Sequence, residues 1–486
     1  MSRTKSVMIL VRDFPPVGTS GVYRVAGLCR YLVERGWRVT VITAEPSKNA
    51  KLDEQLLASV PKGARIVRTA EPNLSVVASN LFKPHRWFKR PCATDTKATR
   101  LEKKDVDRSP TGTTQTRSYR PRRRLQRMID WFSWWLLVPD GCIGWLYPAV
   151  RAGLKEGRRA RPDVVISSAP VWTAHLVGMV LSRLLRVPFV ADFRDPWYGS
   201  GFRKNPYRAH RYANRTLERM VVRRAQRLTC AWDGIRRHLA LNHPGKARDM
   251  VTILNGFDPE AIDQAPAVRL DTERRVFLHT GNFYGPRSPI PLMEAARQFG
   301  SSERRSHQVL FVLAGYPFYG KTPLEEIVRE YGVQDLVRVL PQLPHHEALG
   351  LMKGADAALL FGQSGEESLA SVPGKAYEYI AACKPVLAVG AGTEVCEVIE
   401  KGGCPIWTAS ADEPDQIVAA VQEMVQFIDS EQNVCASDPE ARSQFTRQAM
   451  AARIESVLSD VIVNETNCAT PPVSAREDET LNEPLS

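Results

Sequence analysis

The chain has 486 residues, of which 43% are hydrophobic, and it carries a formal net charge of +13. A chain of this length exceeds a single compact core, so we expect two domains of ordinary size with additional segments. Nowhere do about 18 or more uncharged apolar residues follow one another, and the sequence therefore predicts no membrane-spanning helix.

The nine cysteines are scattered without the Cys-x-x-Cys or Cys/His spacing of a metal site. An odd, unpatterned set is typical of reduced, mostly buried thiols in a cytosolic protein, and not of a disulfide framework. The short apolar run Val7–Val11 is followed at once by Arg12 and Asp13, which favours a first β-strand over a signal peptide.

The chain begins with a strand–helix–strand pattern. After the strand Val7–Val11, apolar residues repeat at helical spacing until Gly36, and the strand Trp37–Thr43 completes a predicted βαβ unit. The turn before the helix contains Gly18 and Gly21. Glycine lets a ligand approach the backbone closely, so we assign both to a ligand cleft, although tight turning explains them equally.

A basic stretch interrupts this first α/β series. Residues 81–130 hold most of the excess positive charge, and residues 84–124 include too few apolar side chains to bury a core, so they are predicted to be mobile. The stretch ends in a Trp-rich amphipathic helix, and we assign residues 81–138 to an insertion that faces an anionic membrane. The side chains expected at the membrane are Arg122, Arg123, Arg124, Arg127, Trp131, Trp134 and Trp135.

Two other interpretations of the Trp-rich helix remain open. One is an ordinary core helix with a basic start, and the other is a nucleic-acid site in which tryptophan stacks on bases. Within the basic stretch, Asp105 and Asp107 resemble a metal-binding Asp-x-Asp motif. We interpret this pair as a chance match because its surroundings are basic and mobile.

The α/β pattern resumes after Trp145 with two buried strands, Asp163–Ser167 and Val187–Phe193. Open α/β sheets bind ligands in the loops at the carboxyl ends of their strands. The polar residues there are candidates for substrate contact: Ser167, Ser168, His175, Asp192, Arg194 and Asp195. His175 has an alternative interpretation, as a helix residue whose ring nitrogens are satisfied locally.

A second alternation of strands and helices follows a linker near residues 255–270. The predicted fold class is therefore α/β, with two doubly wound Rossmann-like domains. We place the domains at residues 1–255 and 270–440. A terminal helix is predicted over residues 441–462, and the polar residues 463–486 are predicted to be a disordered tail.

The strongest ligand-binding pattern in the second domain is the stretch 371–389. A turn with Pro373 and Gly374 leads into a helix that carries Lys375 and Glu378. Backbone N–H groups at the start of such a helix favour a phosphate, and Lys375 adds a formal positive charge. The loops after earlier strands of this domain contain further candidates for donor binding: Gly281, Arg287 and Gly315.

Four segments, in this order and spacing, resemble the retaining glycosyltransferases of family 4. They are ILVRDFPPVGTSGVYRVAGLCRYLVERGWRVTVIT, DVVISSAPVWTAHLVGMVLSRLLRVPFVADFRDPW, ILNGFD and PGKAYEYIAACKPVLAV, and the resemblance covers roughly residues 5–80 and 140–460. It implies the GT-B architecture, in which two Rossmann-like domains face a cleft. It also implies transfer of a sugar from a nucleotide diphosphosugar with retention of the anomeric configuration.

The resemblance implies roles for single residues of the donor domain. Glu378 matches the glutamate that contacts the donor ribose, and Arg287 and Lys375 resemble the basic pair at the pyrophosphate. Fixed cations and helix N–H groups stabilise the leaving diphosphate, so no metal or other cofactor is expected. The first glutamate of the family motif falls at Ala370, so contacts to the donor sugar are expected from elsewhere, with Glu366 or Glu367 as replacements out of register.

The predicted function is a metal-independent hexosyltransferase, cytoplasmic and peripheral on the inner face of the cell membrane. It uses a UDP- or GDP-linked sugar and a lipid-linked or cell-envelope glycan acceptor, whose hydroxyl Asp195 and His175 are expected to orient. Two alternatives remain: a nucleotide-sugar epimerase of the same architecture, and a non-catalytic protein that binds nucleic acid or another anionic surface through its basic stretch. Nucleic acid is the less favoured partner. A Rossmann dehydrogenase is disfavoured because no Gly-x-Gly-x-x-Gly follows the first strand of either domain.

Overall fold

The computed structural model describes residues 3–47, 50, 52–72, 74, 137–198, 207–285, 287–301, 308–362, 372–430 and 439–469. These residues form two α/β domains, each built on a parallel β-sheet, with a cleft between them. The Trp-rich helix with the arginines and tryptophans assigned to the membrane lies outside the described residues, as do Asp105, Asp107, Glu366, Glu367 and Ala370. None of the described helices is long and apolar enough to cross a membrane.

The first domain contains a seven-stranded parallel sheet with the order β3-β2-β1-β4-β5-β6-β7. Its strands are β1 Ser6–Leu10, β2 Arg38–Ala44, β3 Arg65–Thr69, β4 Val164–Ala169, β5 Phe189–Phe193, β6 Arg227–Cys230 and β7 Met250–Thr252. The central strands β1, β4 and β5 are buried along their whole length, since helices cover both faces of the sheet.

Among the described residues, the first domain has six α-helices and two short 3-10 helices, Ile143–Trp145 and Pro244–Asp249. The α-helices are α1 Ser20–Glu34, α2 Gln55–Ala58, α3 Leu146–Arg159, α4 Thr173–Leu185, α5 Arg208–Arg224 and α6 Asp233–Asn242. The connections through α3, α4 and α5 advance across the sheet in one direction, and the connection through α1 runs the other way. Right-handed crossovers therefore place α1 on the opposite face of the sheet from the other three.

The second domain contains a six-stranded parallel sheet with the order β12-β9-β8-β13-β14-β15. Its strands are β8 Arg275–Thr280, β9 Val309–Ala314, β12 Val337–Leu340, β13 Ala357–Phe361, β14 Val386–Val389 and β15 Ile406–Ala409, and a short hairpin pairs β10 Phe318–Tyr319 with β11 Thr322–Pro323. The helices after the first domain are α7 Pro259–Gln264, α8 Ile290–Gly300, α9 Leu324–Glu330, α10 His345–Gly354, α11 Gly374–Ala381, α12 Thr393–Lys401, α13 Pro414–Asp429, α14 Pro439–Ser443 and α15 Arg447–Ala469.

Helix α15 returns to the first domain. The chain crosses between the domains where the Phe257 amide donates to the Phe445 carbonyl at 2.9 Å and the Arg447 amide donates to the Phe257 carbonyl at 2.7 Å. Beyond this crossing, Met450 and Leu458 of α15 share one hydrophobic cluster with helix α1. Core contacts of the last helix therefore tie the first domain to the end of the second.

The last helix differs from its predicted bounds. It was expected over residues 441–462, but it starts at Arg447 and continues to Ala469, into the residues predicted to form a disordered tail. The polar composition after Val463 suggested disorder. No glycine or proline occurs between Arg447 and Ala469, however, so the sequence contains no residue that would end the helix earlier.

Candidate functional site

A cavity of about 1130 Å³ lies between the carboxyl ends of the two sheets. The segments that line it follow β1, β2, β4, β5, β6 and β7 of the first domain and β8, β9, β12 and β13 of the second. Both sheets reverse their strand order near these loops, between β1 and β4 and between β8 and β13. Reversal points of this kind are where open α/β sheets bind ligands, so the cavity is the candidate site.

Helix α11 contributes an ion-paired lysine and glutamate to the second-domain wall of the cavity. The Lys375 ammonium lies 2.9 Å from Oε2 of Glu378, and His345 Nε2 lies 3.1 Å from Oε1 of the same carboxylate. Burial raises the pKa of the Glu378 carboxyl, but Lys375 and His345 outweigh it and hold that pKa at about 2. Glu378 is therefore ionised at neutral pH. Pro373 and Gly374, at the start of α11, also line the cavity.

Arg287 faces the same cavity from the loop after β8. Its guanidinium lies 5.2 Å from the centre of the Tyr284 ring, and its Nη1 donates to the Tyr284 hydroxyl at 3.0 Å. The Nε atom is buried and has no hydrogen-bond partner among the described residues. The structure thus brings Arg287 and Lys375 to one cavity, where both cations are available to an anionic ligand.

Two glycines shape the floor of the donor side. A Cβ atom on Gly315 would lie 1.8 Å from the carbonyl oxygen of Gly281, so any larger residue would push the loops after β8 and β9 apart. Both glycines line the cavity. The sequence predicted that these two positions bind the donor, and their close contact gives a physical reason for glycine at Gly315.

The first-domain wall presents Asp195 and Arg194, from the loop after β5. The Arg194 guanidinium donates to the carbonyls of Gly21, Ala169 and Pro170, which fixes the loop against α1. Burial raises the pKa of the Asp195 carboxyl, and the Arg194 charge opposes that rise. Asp195 is the acidic residue of this loop that reaches the cavity.

Gly21 has a structural role that the sequence did not indicate. A Cβ atom at this position would lie 2.0 Å from Nη1 of Arg194, so glycine is needed for the guanidinium to reach the backbone of α1. Gly21 and Gly18 both line the cavity. Both glycines therefore lie at the cleft, as predicted. The close contact at Gly21, however, is with Arg194 and not with a ligand.

Two family models together span most of the chain. Residues 21–256 match the glycosyl transferase 4-like domain, and residues 262–434 match glycosyl transferases group 1. The chain belongs to the group 1 glycosyltransferases. The family resemblance predicted from the sequence motifs is confirmed, and the cavity between the two parallel sheets is the cleft of a GT-B glycosyltransferase.

Solved structures with the same fold include several glycosyltransferases. HepE from Anabaena in complex with UDP superposes with a TM-score of 0.56 at 14% identity, over 94% of this chain and 100% of HepE. Sucrose-phosphate synthase from Thermosynechococcus elongatus gives 0.60 at 15% identity, over 95% and 100% of the two chains. WaaG, a glycosyltransferase involved in lipopolysaccharide biosynthesis, gives 0.53 at 15% identity, over 94% and 99%. No curated protein matches the sequence.

Ser168 and Asp192 of this glycosyltransferase were expected to contact substrate, but both are buried below the cleft. Asp192 accepts two hydrogen bonds from the Arg24 guanidinium, at 2.9 and 3.1 Å, and one each from the hydroxyls of Ser168 and Thr229, at 2.7 and 2.6 Å. Arg24 also donates to the Ile253 carbonyl at 2.9 Å. A buried carboxylate needs such donors, so Asp192 joins β5 to α1 and does not face a ligand.

His175 was expected to orient the acceptor, but the structure places it away from the cavity wall. The ring is fully buried and packs against Trp172, Phe193 and Trp197, and its Nδ1 lies 2.7 Å from the Ser167 hydroxyl. Burial lowers the pKa of His175 to about 3, so the ring is neutral. The alternative interpretation, a helix residue whose ring nitrogens have local hydrogen-bond partners, is correct for Nδ1. The Nε2 atom has no hydrogen-bond partner among the described residues. Ser167 is buried with it.

Three residues at the back of the cleft were not singled out from the sequence. The Tyr23 ring of the first domain lies 5.4 Å from the His345 ring of the second and 4.7 Å from the guanidinium of Arg447, at the start of α15. All three line the cavity. Their contact connects Glu378 to the interdomain crossing. No local sequence pattern indicates these contacts, because the three residues lie on three different helices far apart in the chain.

No group of three or more His, Cys, Asp or Glu side chains able to hold a metal ion occurs in the part of the chain that the structure describes.

Proposed function

We propose that this group 1 glycosyltransferase transfers a hexosyl unit from a UDP- or GDP-linked sugar to a hydroxyl of a lipid-linked or cell-envelope glycan, with retention of the anomeric configuration. The observation that carries the proposal is the placement of Arg287 and Lys375 at one wall of the interdomain cavity and of Asp195 at another. Transfer of a sugar from a nucleotide diphosphosugar needs cations that stabilise the leaving diphosphate and a carboxylate that orients the acceptor hydroxyl.

The donor diphosphate is proposed to bind between Arg287 and the start of helix α11. Gly374 and Lys375 supply backbone N–H groups there, and Lys375 adds one formal charge. Pro373 has no N–H to donate and sets the start of the helix. Gly281 and Gly315 leave room for the nucleotide. Negative charge builds up on the leaving diphosphate as the glycosidic bond breaks. Two fixed cations lower the energy of that charge without a metal ion, so we propose metal-independent transfer.

Glu378 is proposed to accept a hydrogen bond from a ribose hydroxyl. Its carboxylate is ionised and already fixed by Lys375 and His345, so it offers free lone pairs in a defined place. The likeness to HepE, which was solved with UDP and with UDP-glucose, supports a uridine nucleotide as the first donor to test.

The acceptor hydroxyl is proposed to approach from the first domain, where Asp195 orients it and Arg194, Gly18 and Gly21 shape the entrance. The raised pKa of Asp195 suits a carboxylate that accepts a hydrogen bond from a reacting hydroxyl near neutral pH.

We further propose a cytoplasmic protein that is peripheral on the inner face of the cell membrane. This proposal rests on the Trp-rich sequence of residues 120–138 and on the likeness to WaaG, whose stated role is in lipopolysaccharide biosynthesis. A lipid-linked or envelope acceptor would be met at that surface.

Two measurements test the proposed reaction. In a thermal-shift panel of nucleotides and nucleotide sugars, the cognate donor is expected to raise Tm selectively, because only the folded state binds it. Incubation with that donor and product analysis then separate a transferase from an epimerase, since an epimerase changes the sugar while it stays nucleotide-linked. The configuration of the anomeric carbon in the product decides between retention and inversion. Stabilisation by no nucleotide sugar would contradict the proposal.

A further inference from the structure

The solvent face of helix α5 is a stripe of arginines. Arg208, Arg211, Arg215, Arg219 and Arg223 are three or four residues apart, so they lie above one another on one side of the helix, and all five are exposed. We call this set the arginine stripe. The basic stretch identified from the sequence, residues 81–130, does not include these arginines.

Acidic side chains do not balance the stripe from within its own helix. The only acidic residue of α5 is Glu218, which is buried and accepts from the Tyr198 amide and lies against His243 Nε2, each at 2.9 Å. Helix α3, on the same face of the sheet, has the same arrangement. Its one acid, Glu156, is buried against Arg65, while Arg151 and Lys155 are exposed.

This pattern differs from an ordinary solvated helix face. Like charges four residues apart repel one another and destabilise a helix, whereas opposite charges at this spacing stabilise it. Helix α12 of the second domain has such an opposite pair, in which the Lys401 ammonium lies 3.5 Å from the Glu397 carboxylate. Within α5 no exposed acidic side chain offsets the repulsion among Arg215, Arg219 and Arg223, and an anionic surface would remove that repulsion.

Apolar side chains stand beside the arginines. The exposed fraction is 75% for Tyr212 and 48% for Met220, both on α5, and 57% for Leu184 at the end of the adjacent helix α4. Helices α3, α4 and α5 lie on the same face of the sheet, so these side chains belong to one broad layer. Arginines with interspersed tyrosine, methionine and leucine suit a lipid surface, where the cations meet phosphates and the apolar groups enter the headgroup region.

We propose that the arginine stripe docks this protein on an anionic lipid bilayer. Helix α5 follows the loop that carries Asp195, so docking through α5 brings the acceptor side of the cleft close to the membrane. This part of the argument rests on the proposed function, in which the acceptor is lipid-linked. In the sequence, the stripe lies outside the insertion at residues 81–138.

The test uses the full chain and co-sedimentation with two kinds of vesicle, phosphatidylglycerol mixed with phosphatidylcholine, and phosphatidylcholine alone. The stripe variant R208Q/R219Q/R223Q is expected to bind the anionic vesicles about 100-fold more weakly, because each cation near such a surface contributes about 1 kcal/mol. The charge-matched control R38Q/K62Q/R338Q removes three exposed cations elsewhere and is expected to stay near wild type. Equal loss in the stripe variant and the control would overturn the proposal.

A second pair of variants separates the stripe from the insertion. The stripe substitutions are also made in the background R122Q/R123Q/R124Q/R127Q, where they are expected to weaken vesicle binding by a similar factor. No further loss in that background would overturn an independent stripe. Likewise, unchanged vesicle binding together with weakened binding to single-stranded RNA would assign the stripe to nucleic acid and refute lipid docking. Donor-induced thermal shifts, measured on the same variants, report separately on the proposed transferase function.

Discussion

The Lys375 ammonium lies 2.9 Å from Oε2 of Glu378, so the cation assigned to the donor diphosphate is already held by the carboxylate assigned to the donor ribose. An ammonium has three N–H donors. Lys375 is therefore able to keep its contact with Glu378 while it turns another N–H towards a phosphate. The Glu378 carboxylate thus fixes the position of the Lys375 ammonium, and His345 fixes the position of the carboxylate.

Removal of either cation at the cleft is expected to abolish most donor turnover. Lys375→Ala and Arg287→Ala should each lower kcat by about 100- to 1000-fold, the usual cost of one lost donor to a developing negative charge. The measurement is product formation at saturating donor. The matched control is Arg297→Ala. Arg297 is exposed, and its guanidinium lies 6.0 Å from the centre of the Tyr331 ring, much as the Arg287 guanidinium lies over the Tyr284 ring. Wild-type rates in both site variants would refute the assigned donor site.

The pH dependence of transfer is expected to depend on Asp195. Its pKa is raised by burial, and a carboxylate that orients the acceptor must be ionised. The acidic limb of kcat/KM is therefore expected above the usual aspartate range. Asp195→Asn should lower kcat/KM by about 100-fold and remove that limb. An unchanged pH profile in this variant would exclude Asp195, whatever the loss in rate. Asp263→Asn, an exposed change outside the cavity, is the control.

A single methyl group at Gly315 is expected to damage donor binding. The Cβ of Gly315→Ala would lie 1.8 Å from the Gly281 carbonyl oxygen, so the two loops must separate. The KM for the nucleotide sugar should rise at least tenfold, roughly 1.4 kcal/mol of binding free energy. Gly245→Ala adds the same methyl group where nothing lies within 4 Å, and it should behave as wild type. Equal donor KM values in the two variants would contradict the predicted role.

The buried pair of Arg24 and Asp192 is expected to stabilise the first domain. Asp192→Ala leaves the Arg24 guanidinium buried with no counter-charge, which costs about 3–5 kcal/mol. Differential scanning calorimetry should show a markedly lower Tm for this domain. Asp249→Ala removes a partly exposed carboxylate that pairs with Arg227 and Lys246, and its cost should stay near or below about 1 kcal/mol. A Tm loss no greater than that of the control would show that solvent reaches Arg24.

The neutral ring of His175 is expected to make the first domain sensitive to acid. Its pKa is about 3 in the folded protein, below the ordinary value of 6.5. Below pH 6.5 the His175 ring therefore binds a proton in the unfolded chain but not in the folded protein. The free energy of unfolding falls as the pH decreases, until the pH reaches about 3. The Tm of His175→Phe should fall less between pH 7 and pH 5 than that of wild type. His346→Phe, on the surface, is the control; identical slopes in all three proteins would contradict the prediction.

The spacing of apolar residues in the sequence was sufficient to predict most of the fold. The predicted strands Val7–Val11 and Trp37–Thr43 occur at Ser6–Leu10 and Arg38–Ala44, because a buried parallel strand is a continuous apolar run between breaks in the pattern. The end of α15 was missed because polar composition was given more weight than the absence of a helix-breaking residue.

The site was predictable only in part. Lys375 and Glu378 are recognisable because a turn, a helix start and a strand follow one another within a few residues. Asp192, near the end of β5, and Asp195, in the loop that follows, are three residues apart, yet Asp192 is buried and Asp195 faces the cavity. Their difference comes from Arg24, which lies 168 positions earlier, and no local pattern indicates such a partner.

Helix α15 also sets the order in which the protein is completed during synthesis. Met450, Ile454 and Leu458 fill a layer of the first domain against Cys29 and Leu32, but the ribosome makes them after the whole second domain. Domains usually fold one after another from the N-terminus. Here the earlier domain keeps an open apolar face until residues 447–469 emerge, so a nascent chain exposes that face to solvent and to chaperones while the second domain is still being made.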